Sequence, residues 1–157
     1  MPVVDVRKDL DALTLTIVAD FAADLERVWR IYADPRQLEK VWGPPGYPAT
    51  VVDHDLTPGG RVTYYMTGPD GDKYCGYWRV LEVDEPERFS FAHEDFTPNT
   101  DLPESRNEYG FAPEGDGTRA TFVATYATLE GLRQVLDMGM VEGATAALGQ
   151  IDDLLAA

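Results

Sequence analysis

Apolar and polar residues alternate from Leu13 to Phe21 (LTLTIVADF), a run rich in β-branched side chains that reads as a first strand. Asp24 then stands as an N-cap ahead of Leu25, Val28, Trp29 and Tyr32 at helical spacing. Pro35 disfavours helical backbone at Asp34 and so ends that helix. It opens a second short helix, with Leu38, Val41 and Trp42 on one face, which Gly43-Pro44-Pro45-Gly46 breaks. From Ala49 to Ala127 the period becomes two. Strands are predicted over Ala49–Leu56, Arg61–Thr67, Tyr74–Val83, Arg88–Glu94, Glu104–Ala112 and Thr118–Ala127, with turn-forming residues between most of them. Consecutive hairpins make a meandering antiparallel sheet the economical topology. Phe96 to Pro103, polar and without alternation, is predicted to be a mobile flap or an edge crossing.

From Leu129 to Leu155 the period returns to that of a helix, and a single long amphipathic one is predicted. Leu132, Leu136, Met140, Ala147, Ile151 and Leu154 or Leu155 form its buried face. The order strand, two short helices, six strands, long helix is an α+β pattern with the helices on one side of one sheet. To cover the last helix the sheet must curve, and Gly59, Gly60, Gly76 and Gly110 are suited to bends or bulges. Gly139 and Gly143, four residues apart, share a helix face, where each glycine costs about 1 kcal/mol against alanine. Two arrangements offset that cost: close approach of helix to sheet, or a furrow against which a ligand lies. The many aromatic residues on the strands favour an enclosed space, and Tyr and Trp add polar tips to apolar bodies.

Composition narrows the function classes. The 157 residues form one domain by length, 44% hydrophobic and 26% charged, which is globular rather than disordered. A net charge of −15, from 28 acidic and 13 basic residues, opposes binding to nucleic acid or anionic lipid. No apolar run reaches the ~20 residues of a membrane helix, and Met1 to Leu10 lacks an apolar signal region, so a soluble cytoplasmic protein is expected. The single Cys75 excludes an intramolecular disulfide and reads as a small core residue within a strand. Neither a metal-ligand cluster nor a cofactor motif is present, so no metal and no cofactor are expected. A monomer or a homodimer is compatible with all of this.

Candidate catalytic groups are few. His54 alternates with Val52 and Leu56, and His93 with Phe89 and Phe91, which places both imidazoles on inward faces. Either could act as acid or base near neutral pH. Glu94 and the aspartates beside His54 alternate to the opposite face and are poor orienting partners. No nucleophile elbow, phosphate loop or zinc-protease helix is found, so non-catalytic binding is expected ahead of catalysis. Arg79, Arg106 and Glu108 are expected to face outward in cross-strand pairs.

Several motifs together resemble a known family. They are Asp34-Pro35 to Trp42-Gly43-Pro44, Asp55-Leu56-Thr57-Pro58-Gly59-Gly60-Arg61, Gly68-Pro69-Asp70-Gly71, the strand pair from Gly76 to Phe89, and Met138 to Gly143. The chain is similar to the activator of heat-shock-protein-ninety ATPase homologues, within the START and birch-pollen-allergen (SRPBCC) superfamily, from about Thr14 to Leu155. This resemblance implies a helix-grip fold and a cavity for a small hydrophobic or amphipathic molecule between sheet and C-terminal helix. It also implies two alternatives: a cyclase-like or hydrolase-like enzyme using a cavity His and Tyr, or a co-chaperone-like interaction domain. Ala144 stands where such relatives carry tryptophan, which leaves room in the cavity or a gap in packing. The residues expected to contact a ligand are Trp42, Tyr64, Met66, Tyr77, Phe91, His93, Tyr109, Phe111, Leu136, Met140 and Gly143.

Overall fold

Period-two segments pair into one eight-stranded antiparallel sheet, and helical segments cover its concave face. The computed structural model describes residues 2–95 and 103–156. The elements are β1 (Val3–Asp9), β2 (Thr14–Phe21), α1 (Leu25–Ala33), α2 (Pro35–Trp42), β3 (Ala49–His54), β4 (Arg61–Thr67), β5 (Lys73–Asp84) and β6 (Arg88–Asp95). They continue with β7 (Ser105–Glu114), β8 (Gly117–Tyr126), α3 (Leu129–Asp137) and α4 (Met140–Ala156). The sheet order is β1-β2-β8-β7-β6-β5-β4-β3, so the six strands read from the alternation do form a meander, and β2 closes onto β8. The α+β class and the helix grip are as expected. The loop expected over Phe96 to Pro103 lies, except for Pro103, outside the described residues.

Capping chemistry sets the two short helices. Asp24 accepts a hydrogen bond from the Arg27 backbone N–H at 2.8 Å and so caps α1. Asp34, held extended ahead of Pro35, ends α1 and caps α2 through the Arg36 N–H at 2.9 Å. Its carboxylate also accepts from the Gln37 side chain, and these bonds hold its pKa below the usual carboxylate value. Asp34→Ala is expected to lower stability by about 1 kcal/mol at neutral pH, measured by urea denaturation. That difference shrinks as pH falls below about 4, because a depressed folded-state pKa stabilises only while the carboxylate is ionised.

Four details differ from the sequence expectations. An extra strand, β1, occupies the sheet edge; its apolar positions are diluted by Asp5, Arg7, Lys8 and Asp9. Bulges fall between Val3 and Asp5, Val51 and Asp53, and Val80 and Glu82, not at the four glycines. The second bulge shifts the phase of β3, so Val52 is 62% exposed while Val51 is buried. Cys75 lies half-buried on β5, facing away from its buried neighbours Gly76 and Trp78, and not in the core.

The long helix is also broken, into α3 and α4. Gly139 has φ of +81°, a left-handed conformation that terminates α3 and that residues with a Cβ rarely adopt. It therefore carries no mid-helix propensity cost. A Cβ at Gly143 would meet nothing within 4 Å among the described residues, which removes close helix–sheet approach as its explanation.

The main core lies between the sheet and α1, α2 and α4. Trp78 is fully buried and stacks on Phe91 with ring centroids 4.2 Å apart. Trp29 and Tyr32 of α1 pack on Phe89 and Phe111. A second cluster, Leu15, Tyr126, Leu132 and Val135, seats α3 against β2 and β8.

Candidate functional site

The inward faces of β4, β6, β7 and β8, roofed by α2 and α4, enclose a cavity of about 270 Å³. This is close to the lower end of small-ligand sites, which run ~300–1,000 Å³. Side-chain hydrogen bonds hold the roof in place. Gln150 of α4 donates to the Gly43 carbonyl at the end of α2, at 2.7 Å. A Cβ on Gly43 would lie 1.9 Å from the Tyr47 carbonyl oxygen, so only glycine allows this turn. At the edge of the sheet, Val51 donates its N–H to Glu39 at 2.8 Å and accepts from Arg36 at 2.9 Å, which fastens α2 to β3.

Of the residues expected to contact a ligand, Trp42, Tyr64, Met66, Phe91, His93, Tyr109, Met140 and Gly143 line the cavity. Tyr77, Phe111 and Leu136 do not. Tyr77 stands on the outer face of the sheet, where its hydroxyl donates to Glu94 and Arg61 lies over its ring. Phe111 is buried in the core against Trp29 and Tyr32, beyond the end of the cavity. Leu136 belongs to the α3 cluster. Arg79, Arg106 and Glu108 face outward as expected, with Arg79 3.8 Å from Glu94.

The two histidines part ways. His54 donates from Nε2 to the Tyr32 carbonyl at 2.8 Å, a contact that ties β3 to the end of α1, outside the cavity. His93 lies in the wall and shares a 2.5 Å hydrogen bond between its Nε2 and the Tyr64 hydroxyl. Burial lowers its pKa to about 4, so the imidazole is neutral at physiological pH. A neutral imidazole bonded to a phenol can orient a polar group or exchange a proton with one. Burial raises the pKa of Tyr109 and Tyr126, so both phenols stay protonated.

Ser105, Asn107 and Tyr126 complete the polar part of the wall and were missed from sequence. Cross-strand pairing aligns His93, Ser105 and Tyr126 in one row over β6, β7 and β8, with Asn107 two residues along from Ser105. The signal was available: Ser105 and Asn107 alternate in phase with Tyr109 and Phe111, which marks two polar residues at inward positions. Leu15, Ile17, Phe122, Ala144, Ala147 and Leu148 supply apolar wall. None of the described lining residues is Asp, Glu, Lys or Arg. Nor does any group of three or more His, Cys, Asp and Glu among the described residues form a metal site.

Comparison with known proteins places this arrangement. The family model for Activator of Hsp90 ATPase homolog 1-like protein matches residues 22–156. The chain belongs to that family. The family's fold is one that binds ligands, as the resemblance in the motifs implied. Protein Ms6760 from Mycobacterium smegmatis is 63% identical, with 99% of this chain and 98% of that one covered and a TM-score of 0.91. A protein from Arthrobacter aurescens is 41% identical over 98% of this chain and 91% of that one, with a TM-score of 0.92. A Rhodobacter sphaeroides protein, 24% identical over 97% of both chains, shares the fold with a TM-score of 0.86. No curated protein matches. Among the described residues, no helix of this Activator of Hsp90 ATPase homolog 1-like chain is long and apolar enough to cross a membrane.

Proposed function

We propose that the chain binds a small hydrophobic or amphipathic molecule in the cavity between sheet and α4. The observation that carries this reading is the cavity wall itself. It is an apolar enclosure with a short row of hydrogen-bonding groups on one side and no described charged residue. That composition suits a ligand whose body is desolvated while one polar group is oriented. At Gly143 and Ala144 the wall carries nothing larger than a methyl group.

A naphthalene-type probe at about 100 times its Kd is expected to stabilise the native state by about 2.7 kcal/mol. For a chain of this length that raises Tm by roughly 5–10 °C. Differential scanning calorimetry with increasing probe is the measurement. A panel of neutral, acidic and hydrocarbon probes that leaves Tm unmoved would sink the proposal.

A further inference from the structure

Asn107 is 8% exposed on the inward face of β7, between Phe91 on β6 and Ala124 on β8. A carboxamide facing an apolar enclosure is costly unless its donors and its acceptor are both used. Its donors are used: Nδ2 lies 3.0 Å from the Ser105 hydroxyl and 3.4 Å from the Ser105 carbonyl oxygen. Because a carbonyl only accepts, the NH₂ group must face Ser105, and the amide oxygen is turned away from it.

No described residue donates to the Asn107 oxygen. Among the described residues, the buried side-chain polar atoms that lack both a partner and any open space are the indole nitrogens of Trp42 and Trp78. The Asn107 oxygen is therefore in contact with open space, and the space beside Asn107 is the cavity. An acceptor thus stands ready in a wall whose described residues include no Lys or Arg. A carboxylate or phosphate head would find no cation there and would meet a second oxygen. A hydroxyl or N–H would complete the Asn107 hydrogen-bond set.

We infer that the cavity selects an uncharged ligand bearing a hydrogen-bond donor (an alcohol, a phenol or an N–H compound) and that the Asn107 side-chain oxygen receives that donor. This rests on the proposed ligand-binding role and specifies its ligand. The same geometry makes Asn107 a specificity-determining residue, with Ser105 setting the orientation of its amide.

Affinities of 2-naphthol, 2-methoxynaphthalene and 2-naphthoate, measured by calorimetric titration at neutral pH, test it. Naphthol is expected to bind about tenfold more tightly than its methyl ether, since the ether leaves a buried acceptor unpaired. Naphthoate should bind weakest. Asn107→Leu, similar in size and apolar, should cost naphthol about tenfold and leave the ether unchanged or tighter. Ser105→Ala, which frees the amide to turn over, should narrow the naphthol-to-ether ratio without changing the fold. Equal binding of naphthol and ether to the wild-type protein, or tightest binding of naphthoate, overturns the inference and leaves ligand binding intact. Failure of all three probes to bind overturns both readings.

Discussion

Ala144→Trp is expected to abolish binding of naphthalene-type probes, with at least a hundredfold loss in affinity and no loss of stability. Ala144 sits on α4 with its side chain at the cavity wall, and Gly143 beside it meets nothing within 4 Å of where a Cβ would lie. An indole projecting from this position enters space that no side chain occupies. Overpacking of a filled core usually costs about 1–3 kcal/mol. Here the volume is free, so the added apolar contacts are expected to offset any strain and hold or raise Tm. The two readouts separate the possibilities. Lost binding with Tm retained places the ligand in the helix-grip cavity. Retained binding places it elsewhere, and a falling Tm shows that the space was not available to an indole.

Alternation located the paired strands because one face of each packs on a core and the other meets solvent, so every second residue is constrained. That logic fails at β1, an edge strand whose charges keep it from pairing further and also erase the apolar signal. It fails at β3, where a bulge moved Val52 outward. Gly139 exposes a different limit. Helical spacing continues across it because α3 and α4 both pack over the sheet, and a glycine looks the same in a helix interior as at a left-handed terminus. Eight of the eleven expected contact residues line the cavity because inward aromatics on strands facing α4 have little other place to go. Phe111 is inward too, but lies nearer α1 along its strand, a depth that alternation does not report. Ser105 and Asn107 escaped because polar residues beside a polar loop read as its continuation; only the register with Tyr109 shows that they face in.

His93 gives the largest expected effect on stability. In the folded chain burial holds its pKa near 4, against 6.5 for the unburied group. As pH falls from about 6.5, the unfolded chain takes up a proton that the folded chain refuses until about pH 4. Unfolding is favoured throughout that window. At 1.36 kcal/mol per unit of difference, about 3 kcal/mol of stability is lost between pH 6.5 and pH 4 on account of this one imidazole. The effect of Asp34 falls below that window, because its depressed pKa matters only as pH drops under about 4. Urea denaturation of the wild-type protein should therefore show ΔG declining steadily from pH 7 to pH 4.5. His93→Gln keeps a polar side chain opposite the Tyr64 hydroxyl but has no proton to gain. Its stability should be nearly level over the same range, so that the wild-type curve falls by about 3 kcal/mol relative to the variant's toward the acid end, whatever the variant costs at pH 7. Parallel curves for the two proteins would show that the imidazole is hydrated in the cavity wall. It would then titrate as an ordinary histidine, and the polar row from Tyr64 to Tyr126 would be a wetted surface before any ligand arrives.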